Sequence, residues 1–177
     1  MNKINNIAGE TVQADIITEL YNEYYSKIYK YTLFRVVDPD TTDDLVSEVF
    51  EKVLAKYYTF NPSQAKFSTW LFTIANNTII NFHNKKNYRS SINIEKMECK
   101  YRLEDSIIER ESKERLISAI SSLDERQRNI IALKFVACQT NREIAKMLNL
   151  TESNVGTILY RSLKRLREIL KEQEAVY

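Results

Sequence analysis

In TNREIAKMLNLTESNVGTILYRSLKRLRE, residues 140–168, apolar side chains recur at helical spacing in two successive segments. The first segment carries Ile144 and Leu148, the second carries Val155 and Leu159, and Thr151 is a suitable cap for the second. The outer face of the second segment is polar and then basic. A helix, a tight turn and a second helix with such a face are typical of proteins that place a helix in the DNA major groove. The alternative is an ordinary helical hairpin whose charged face is only solvated.

The composition of the 177-residue chain predicts a helical globular protein. Hydrophobic residues make up 44% and charged residues 28%, which is typical of a folded domain. The sequence has two glycines and two prolines, too few for the turns of an all-β fold. The formal net charge is +2, so an interaction with nucleic acid has to be argued from local clusters of charge.

Few residues are suited to catalysis or metal binding. His83 is the single histidine of the chain, so histidine-rich metal sites and histidine-based catalytic triads are excluded or incomplete. Gly9 and Gly156 are too far apart for a phosphate-binding loop. We therefore expect no enzyme activity, no metal and no cofactor. Because Cys99 and Cys138 suggest no disulfide framework and no apolar run approaches ~20 residues, a cytoplasmic protein is predicted.

The first half of the chain predicts three helices. An apolar stripe that begins at Ile16 ends before Pro39, because the residue before a proline avoids helical geometry. A second helix is expected to start with Thr41 or Thr42 as its cap and to bury a face that ends with Leu54 and Tyr57. A turn at Asn61-Pro62 separates it from a third helix that starts near Lys66.

The second half predicts a separate small helical unit. Residues 91–112 show no strong periodicity and are predicted to form a linker, although LEDSIIERES could extend into a helix. The pairs Asp124–Gln127 and Thr140–Glu143 have the spacing of capping boxes. The expected fold is all-α: a helical module at residues 14–90, a linker at 91–112, and a second helical module with the helix-turn-helix at 113–177.

Two sets of motifs, in a fixed order, resemble the sigma-70 family of bacterial RNA polymerase sigma factors, and most of all its extracytoplasmic-function (ECF) group. DDLVSEVFEKVLAKYYTFNPSQAKFSTWLFTIANNTIINF is similar to region 2 of that family. LDERQRNIIALKFVACQTNREIAKMLNLTESNVGTILYRSLKRLRE is similar to region 4. The resemblance implies a protein that binds core RNA polymerase and directs promoter recognition, DNA opening and transcription initiation. Cys138 stands where the family usually has a glycine, and Asn76 where it often has an arginine.

The resemblance also implies partners. They are core RNA polymerase, promoter DNA and an anti-sigma factor, often membrane-bound in this family, with no small-molecule substrate. An acidic face on the second helix is the implied polymerase-binding surface. Its alternative is a solvated helix side. The residues of this acidic face are Asp43, Asp44, Ser47, Glu48 and Glu51.

The third helix and its flanks offer the groups that single-stranded DNA binding requires: aromatic rings for stacking, amides for base edges and cations for phosphate. An asparagine-rich helix has low intrinsic propensity, which is easier to understand if the amides have partners. By resemblance this surface binds the minus-ten element. The predicted residues are Asn61, Lys66, Phe67, Trp70, Asn76, Asn77, Asn81, Asn84, Lys85, Lys86, Tyr88 and Arg89, with Phe60 and Phe72 as further stacking candidates.

The last helix is the implied reader of the minus-thirty-five element. Its first turns carry side chains that can meet base edges, since Asn can pair with adenine and Thr can contact a thymine methyl group. Basic residues further along are better placed for phosphate. The predicted residues are Glu152, Ser153, Asn154, Gly156, Thr157, Ile158, Tyr160, Arg161, Lys164 and Arg165.

Two other functions are compatible with parts of the sequence. A stand-alone helix-turn-helix transcriptional regulator would use the last helix. In such a protein the acidic second helix and the asparagine-rich third helix would have no function. A helical protein–protein adaptor would leave the basic last helix unexplained.

Overall fold

The computed structural model describes the backbone of residues 2–89 and 107–174 and the side chains of residues 18–85 and 114–173. Within these ranges the chain forms α-helices and no strand, so the predicted all-α fold is confirmed. The helices are α1 (Asn2–Val36), α2 (Pro39–Lys56), α3 (Phe67–Arg89), α4 (Ile107–Ser121), α5 (Glu125–Ile131), α6 (Asn141–Leu148) and α7 (Glu152–Glu174). A 3-10 turn (Tyr57–Thr59) follows α2, and a π-helical segment (Ala132–Val136) follows α5.

The boundary between α1 and α2 is set by Asp38. Its carboxylate accepts a hydrogen bond from the Thr41 backbone N–H at 2.9 Å. Pro39 takes the first helical position, where its fixed φ suits the helix and its missing N–H leaves no donor unpaired. The prediction that Thr41 or Thr42 caps this helix is therefore wrong. Thr42 is buried, and its hydroxyl donates to the Asp38 carbonyl.

Helices α1, α2 and α3 form the first module around a tight apolar core. Tyr31 of α1 packs edge-on against Phe72 of α3, with 5.2 Å between ring centroids. Phe72 is thus a core residue, and its assignment as a DNA-stacking candidate is wrong. Leu54, predicted to face inward, is 40% exposed, whereas its neighbour Val53 is buried. The buried apolar side chains are Ile28, Tyr31, Leu33, Leu45, Val46, Val49, Phe50, Val53, Leu71, Phe72, Ala75 and Ile79.

Helices α4 to α7 form the second module, and local capping sets their limits. Asp124 with Gln127 and Thr140 with Glu143 form the two predicted capping boxes at the starts of α5 and α6. The hydroxyl of Thr151 accepts a hydrogen bond from the Asn154 N–H at 3.1 Å, as predicted for the start of α7. α4 begins at Ile107, so the end of the predicted linker is helical, while residues 90–106 lie outside the described residues.

Two turns of the second module use left-handed backbone geometry. Asn149 ends α6 with φ 53°, a conformation that asparagine tolerates better than most residues. Cys138, which stands where the family usually has a glycine, also has φ 53°. A glycine would adopt this geometry without steric cost, so the cysteine stores strain at this turn.

The two modules pack directly against each other. One continuous cluster of buried residues includes Ile28 and Ile79 from the first module and Ile130 and Val155 from the second. Phe34 of α1 also packs against the cluster of α4 and α7 side chains. The sequence predicts two modules joined by a linker, and it contains no local signal of this shared core.

Candidate nucleic-acid interface

Helix α7 presents a continuous polar and basic face. Val155, Ser162 and Leu166 point into the protein. The opposite side consists of the exposed side chains Glu152, Ser153, Asn154, Thr157, Tyr160, Arg161, Lys164 and Arg165. Tyr160 is 70% exposed, so it adds a flat aromatic surface to this face. The arrangement is a short helix, a tight turn and a second helix whose outer face has hydrogen-bonding groups first and cations later.

Two residues predicted on this face do not belong to it. Ile158 is partly buried and packs against the shared core, so in this structure it does not reach a ligand bound to the outer face. Gly156 faces α6 instead: a Cβ added there would lie 3.8 Å from the Asn141 Nδ2 atom. The glycine therefore lies where α6 and α7 approach each other. Both positions are corrections to the predicted DNA-reading set.

An aromatic cluster joins the end of α2 to the start of α3. The ring centroids of Phe60 and Phe67 are 5.3 Å apart, and Trp70 lies 5.5 Å from each of them. The side-chain oxygen of Asn61 accepts hydrogen bonds from the Ser63 N–H at 3.0 Å and the Ser63 hydroxyl at 2.7 Å. This network fixes the loop that precedes α3.

Tyr58 is a candidate that the sequence analysis missed. It lies in the 3-10 turn beside the aromatic cluster, and its side chain is 85% exposed. The signal was present in the aromatic run YYTF that ends directly before Asn61. The spacing of apolar residues around these two tyrosines does not indicate which ring faces the protein interior and which faces solvent.

Helix α3 presents a row of amides on its outer side. Asn77, Asn81, Asn84 and Lys85 are exposed and recur at the spacing of one helix face. The side chains of Lys86, Tyr88 and Arg89, predicted to extend this surface, lie outside the described side chains.

Asn76 does not join that row. It is 2% exposed, and its side-chain oxygen accepts hydrogen bonds from Arg35 Nη1 at 3.0 Å and from Asn129 Nδ2 at 2.9 Å. The position lies one residue from Asn77 and therefore about 100° around the helix, which turns it toward α1 and α5. In this structure Asn76 is a buried contact between the modules, and its predicted place among the DNA-reading residues is corrected.

Buried polar groups surround Asn76. The Tyr31 hydroxyl accepts from Arg35 Nη1 and donates to Asn129 Oδ1, each at 3.0 Å, and Arg35 also forms an ion pair with Glu125. Desolvation by complete burial raises the pKa of Tyr31 above its ordinary value, and the nearby Arg35 only partly opposes this. The phenol therefore remains a neutral donor.

A second polar contact between the modules involves a predicted DNA contact. Lys66 Nζ lies 3.3 Å from a Glu143 carboxylate oxygen at the start of α6. The Thr69 hydroxyl donates to Gln139 Oε1 at 2.9 Å. The pKa of Glu143 is lowered, first because its carboxylate accepts the Thr140 backbone N–H, and further because of the Thr140 hydroxyl and Lys66.

The acidic face of α2 lies on the outside of the first module. Asp43, Asp44, Ser47 and Glu51 are exposed. Glu48 is only half-buried and pairs with Lys52, whose ammonium also contacts Thr78 Oγ1 at 3.1 Å.

The comparisons with known proteins agree with this two-module arrangement. The family model described as Sigma-70 region 2 matches residues 20–89, and the model described as Sigma-70, region 4 matches residues 113–166. The chain is 30% identical over 165 residues to the ECF RNA polymerase sigma factor SigX of Bacillus subtilis, covering 87% of this chain and 84% of SigX. The chain belongs to the ECF group of the sigma-70 family.

Further relatives are similar to this sigma factor over most of its length. The ECF RNA polymerase sigma factor BldN of Streptomyces coelicolor is 29% identical over 169 residues, which cover 93% of this chain but 63% of BldN. This chain therefore spans less than two thirds of the length of BldN. Among solved structures, the sigma factor RpoE in complex with the anti-sigma factor NepR from Bartonella quintana has a TM-score of 0.75 at 21% identity, covering 89% of this chain and 97% of RpoE. CnrH in complex with the cytosolic domain of CnrY has a TM-score of 0.64 at 20% identity, covering 88% of each chain. These structural likenesses concern the fold.

The described part of this sigma factor holds neither a membrane-spanning helix nor a cluster of metal ligands. No helix there combines the length and apolar character needed to cross a bilayer. The same residues contain no group of three or more histidine, cysteine, aspartate or glutamate side chains placed to hold a metal ion.

Proposed function

We propose that this sigma factor binds core RNA polymerase through the acidic face of α2, contacts opened minus-ten DNA through the start and outer side of α3, and reads the minus-thirty-five element through α7. The observation that carries this proposal is the presence of two separate exposed polar surfaces, one in each module. A stand-alone regulator would use only α7, and it would leave the amide row of α3 without a function.

The α3 surface has the chemistry of a single-strand site. Asn77, Asn81 and Asn84 offer amide donors and acceptors to base edges that a duplex hides, and Lys85 offers a cation to phosphate. Tyr58 and the partly exposed rings of the aromatic cluster provide stacking surfaces at the start of the helix. Stacking contributes about 1–3 kcal/mol per base, so two or three such contacts favour an unstacked strand over a paired one.

The α7 surface has the chemistry of a duplex site. Ser153, Asn154 and Thr157 lie in the first turns of a helix, which is where helix-turn-helix proteins reach base edges in the major groove. Arg161, Lys164 and Arg165 follow on the same side and suit the phosphates that flank the groove.

The remaining parts of the proposal concern partners and setting. The RpoE structure contains an anti-sigma factor, and we extend that kind of partner to this chain. Catalysis of RNA synthesis is assigned to the polymerase, so the sigma factor itself is non-enzymatic. Because promoter DNA is its proposed target, we also propose that the sigma factor acts in the cytoplasm.

The test separates the two surfaces by the state of the DNA that each binds. Holoenzyme carrying Asn77→Ala with Lys85→Ala is expected to bind a pre-melted minus-ten bubble about 5- to 150-fold more weakly, because an amide that pairs with a base edge contributes about 1–3 kcal/mol. Asn154→Ala with Arg161→Ala is expected to weaken binding to duplex that carries the upstream element, with little effect on a bubble that lacks it. All affinities are measured at one salt concentration, because phosphate contacts make them salt-dependent.

A matched control keeps the same residue types outside both surfaces. Asn22→Ala with Lys30→Ala removes one exposed amide and one exposed cation from α1, and it should leave both affinities unchanged. Equal losses for the α3 and α7 variants on both templates would refute the proposed division of labour and leave only general phosphate contacts.

A further inference from the structure

The side chain of Thr157 is exposed on the outer face of α7, but its hydroxyl is held by the helix itself. The hydroxyl donates to the Ser153 backbone carbonyl, about one turn earlier, at 3.0 Å. This bond selects one of the two rotamers that a helical threonine adopts. Because the hydroxyl proton is used within the helix, Thr157 has no free donor for a base edge. Its methyl group is the part of the side chain left to make a contact.

A second apolar group lies beside this methyl group. Tyr160 follows Thr157 by three positions, so the two side chains are neighbours on the helix surface. The Tyr160 side chain is 70% exposed. We call the Thr157 methyl group and the Tyr160 ring the apolar spot. Ser153 and Asn154 precede it and Arg161 follows it, so hydrogen-bonding groups lie on one side and a cation on the other.

The apolar spot occupies a single place along the reading part of α7. Val155 is buried, and Ile158 and Leu159 pack against the core. Gly156 faces α6. Within the described stretch from Glu152 to Arg161, the exposed apolar groups are therefore those of the spot, with polar side chains around them. An apolar contact of this helix with DNA is thus confined to one point.

The major groove offers a single apolar group of its own. Each base edge presents nitrogen and oxygen donors or acceptors, and thymine alone among the four bases adds a methyl group at C5. Amides and cations recognise the donors, acceptors and phosphates, but they gain nothing from that methyl group. An apolar group on the protein does, because the contact removes apolar surface from water on both sides.

We propose that Thr157 is a specificity-determining residue, and that its methyl group, supported by the Tyr160 ring, packs on the 5-methyl group of one thymine in the upstream element. The proposal rests on the proposed function, since it takes α7 as the reader of that element. The competing role for Thr157 is that of a hydrogen-bonding residue, whose hydroxyl oxygen accepts from the amino group of adenine or cytosine. The two roles use different atoms of one side chain.

Deoxyuridine tests the contact at the level of one group, because it pairs like thymine and lacks only the 5-methyl group. Duplexes randomised across the upstream element, joined to a pre-melted minus-ten bubble of fixed sequence, are selected with parent holoenzyme at one salt concentration. Each thymine of the recovered element, on either strand, is then replaced singly by deoxyuridine. We expect one replacement to weaken binding about fourfold, the factor that corresponds to exposing one methyl-sized apolar group, and the others to have little effect.

Two variants separate the methyl group of Thr157 from its hydroxyl. Thr157→Val keeps a methyl group at the same place and should show the parent's ratio of thymine to deoxyuridine affinity. Thr157→Ser keeps the hydroxyl, so it should bind the thymine duplex about fourfold more weakly than the parent and the two duplexes nearly equally. The matched control is Thr73→Ser in α3, where the hydroxyl makes the same type of bond, to the Thr69 carbonyl at 2.7 Å. This control should retain the parent's ratio.

The outcomes separate the inference from the proposed function. A methyl effect of equal size in Thr157→Ser and the parent overturns the role of Thr157. Loss of the effect in Thr157→Val also overturns it, because the hydroxyl would then be the reading group. A parent that selects an upstream sequence but responds to no deoxyuridine overturns the thymine contact and leaves the proposed function in place. A parent holoenzyme that selects no upstream sequence overturns both.

Discussion

The buried hydroxyl of Tyr31 offers a quantitative test of the contact between the modules. Tyr31→Phe removes the hydroxyl and keeps the ring, which remains packed edge-on against Phe72. No cavity is created, so the change isolates the hydrogen bonds. The hydroxyl accepts from Arg35 and donates to Asn129, each at 3.0 Å.

The expected cost follows from what each partner retains. Arg35 Nη1 still donates to Asn76, but Asn129 Oδ1 loses its donor inside the protein. One charge-assisted bond lost and one buried acceptor left unpaired amount to about 2 kcal/mol. For a chain of this size such a loss lowers Tm by about 4–8 °C.

Thermal unfolding followed by circular dichroism measures the effect. Tyr58→Phe is the matched control, because the same atom is removed from a ring that is 85% exposed, and a change below about 0.5 kcal/mol is expected. The parent should also lose stability as the pH rises above 10, because burial raises the pKa of Tyr31 and the unfolded chain releases that proton first. Tyr31→Phe should lack this part of the alkaline loss. Equal Tm values for Tyr31→Phe and Tyr58→Phe would refute the role given to the hydroxyl.

Three further changes have expected outcomes. Gly156→Ala should stabilise the protein by up to about 1 kcal/mol in urea unfolding, since the new Cβ meets Asn141 Nδ2 at an ordinary 3.8 Å; a loss of stability would show that the close approach of α6 and α7 requires glycine. Cys138→Gly should add about 0.5–1 kcal/mol in the same assay by relieving the left-handed φ of 53°, and Cys138→Ala, which keeps a Cβ, should not. Asp44→Lys with Glu51→Lys should weaken association with core polymerase at least about tenfold in gel filtration and titration. Charge reversal at the exposed Glu172 should leave this association unchanged. Unchanged association of the double variant would remove the α2 face from the interface.

Local signals explain what the sequence predicts correctly. The capping boxes at Asp124 and Thr140 each lie within four residues, and each is formed as expected. The helix-turn-helix follows from apolar spacing and the cap at Thr151, which are also properties of short segments. The cap predicted at Thr41 lies three residues from the observed cap, Asp38. The error is small because Asp38 and Pro39 together form a stronger local start signal.

Long-range contacts explain what the sequence does not predict. Tyr31 and Asn129 are separated by 98 positions and bond only because the modules share a core. Asn76 belongs to an asparagine-rich helix, and nothing within that helix distinguishes its buried amide from the exposed amide of Asn77. Ile158 directly follows the exposed Thr157 in α7, and its inward direction depends on the other helices that pack there. The polymerase and DNA assignments of the exposed residues stay predictions.

The aromatic cluster before α3 has an optical consequence. Trp70 is the only tryptophan of the chain, and its ring lies 5.5 Å from both Phe60 and Phe67, beside the loop held by Asn61. Intrinsic fluorescence excited at the indole band therefore comes from one place, the start of the proposed single-strand surface. We expect a nucleobase that stacks on this cluster to quench that emission. The DNA therefore needs no dye label. Stopped-flow emission of the unmodified protein would then time the arrival of an unpaired strand at α3.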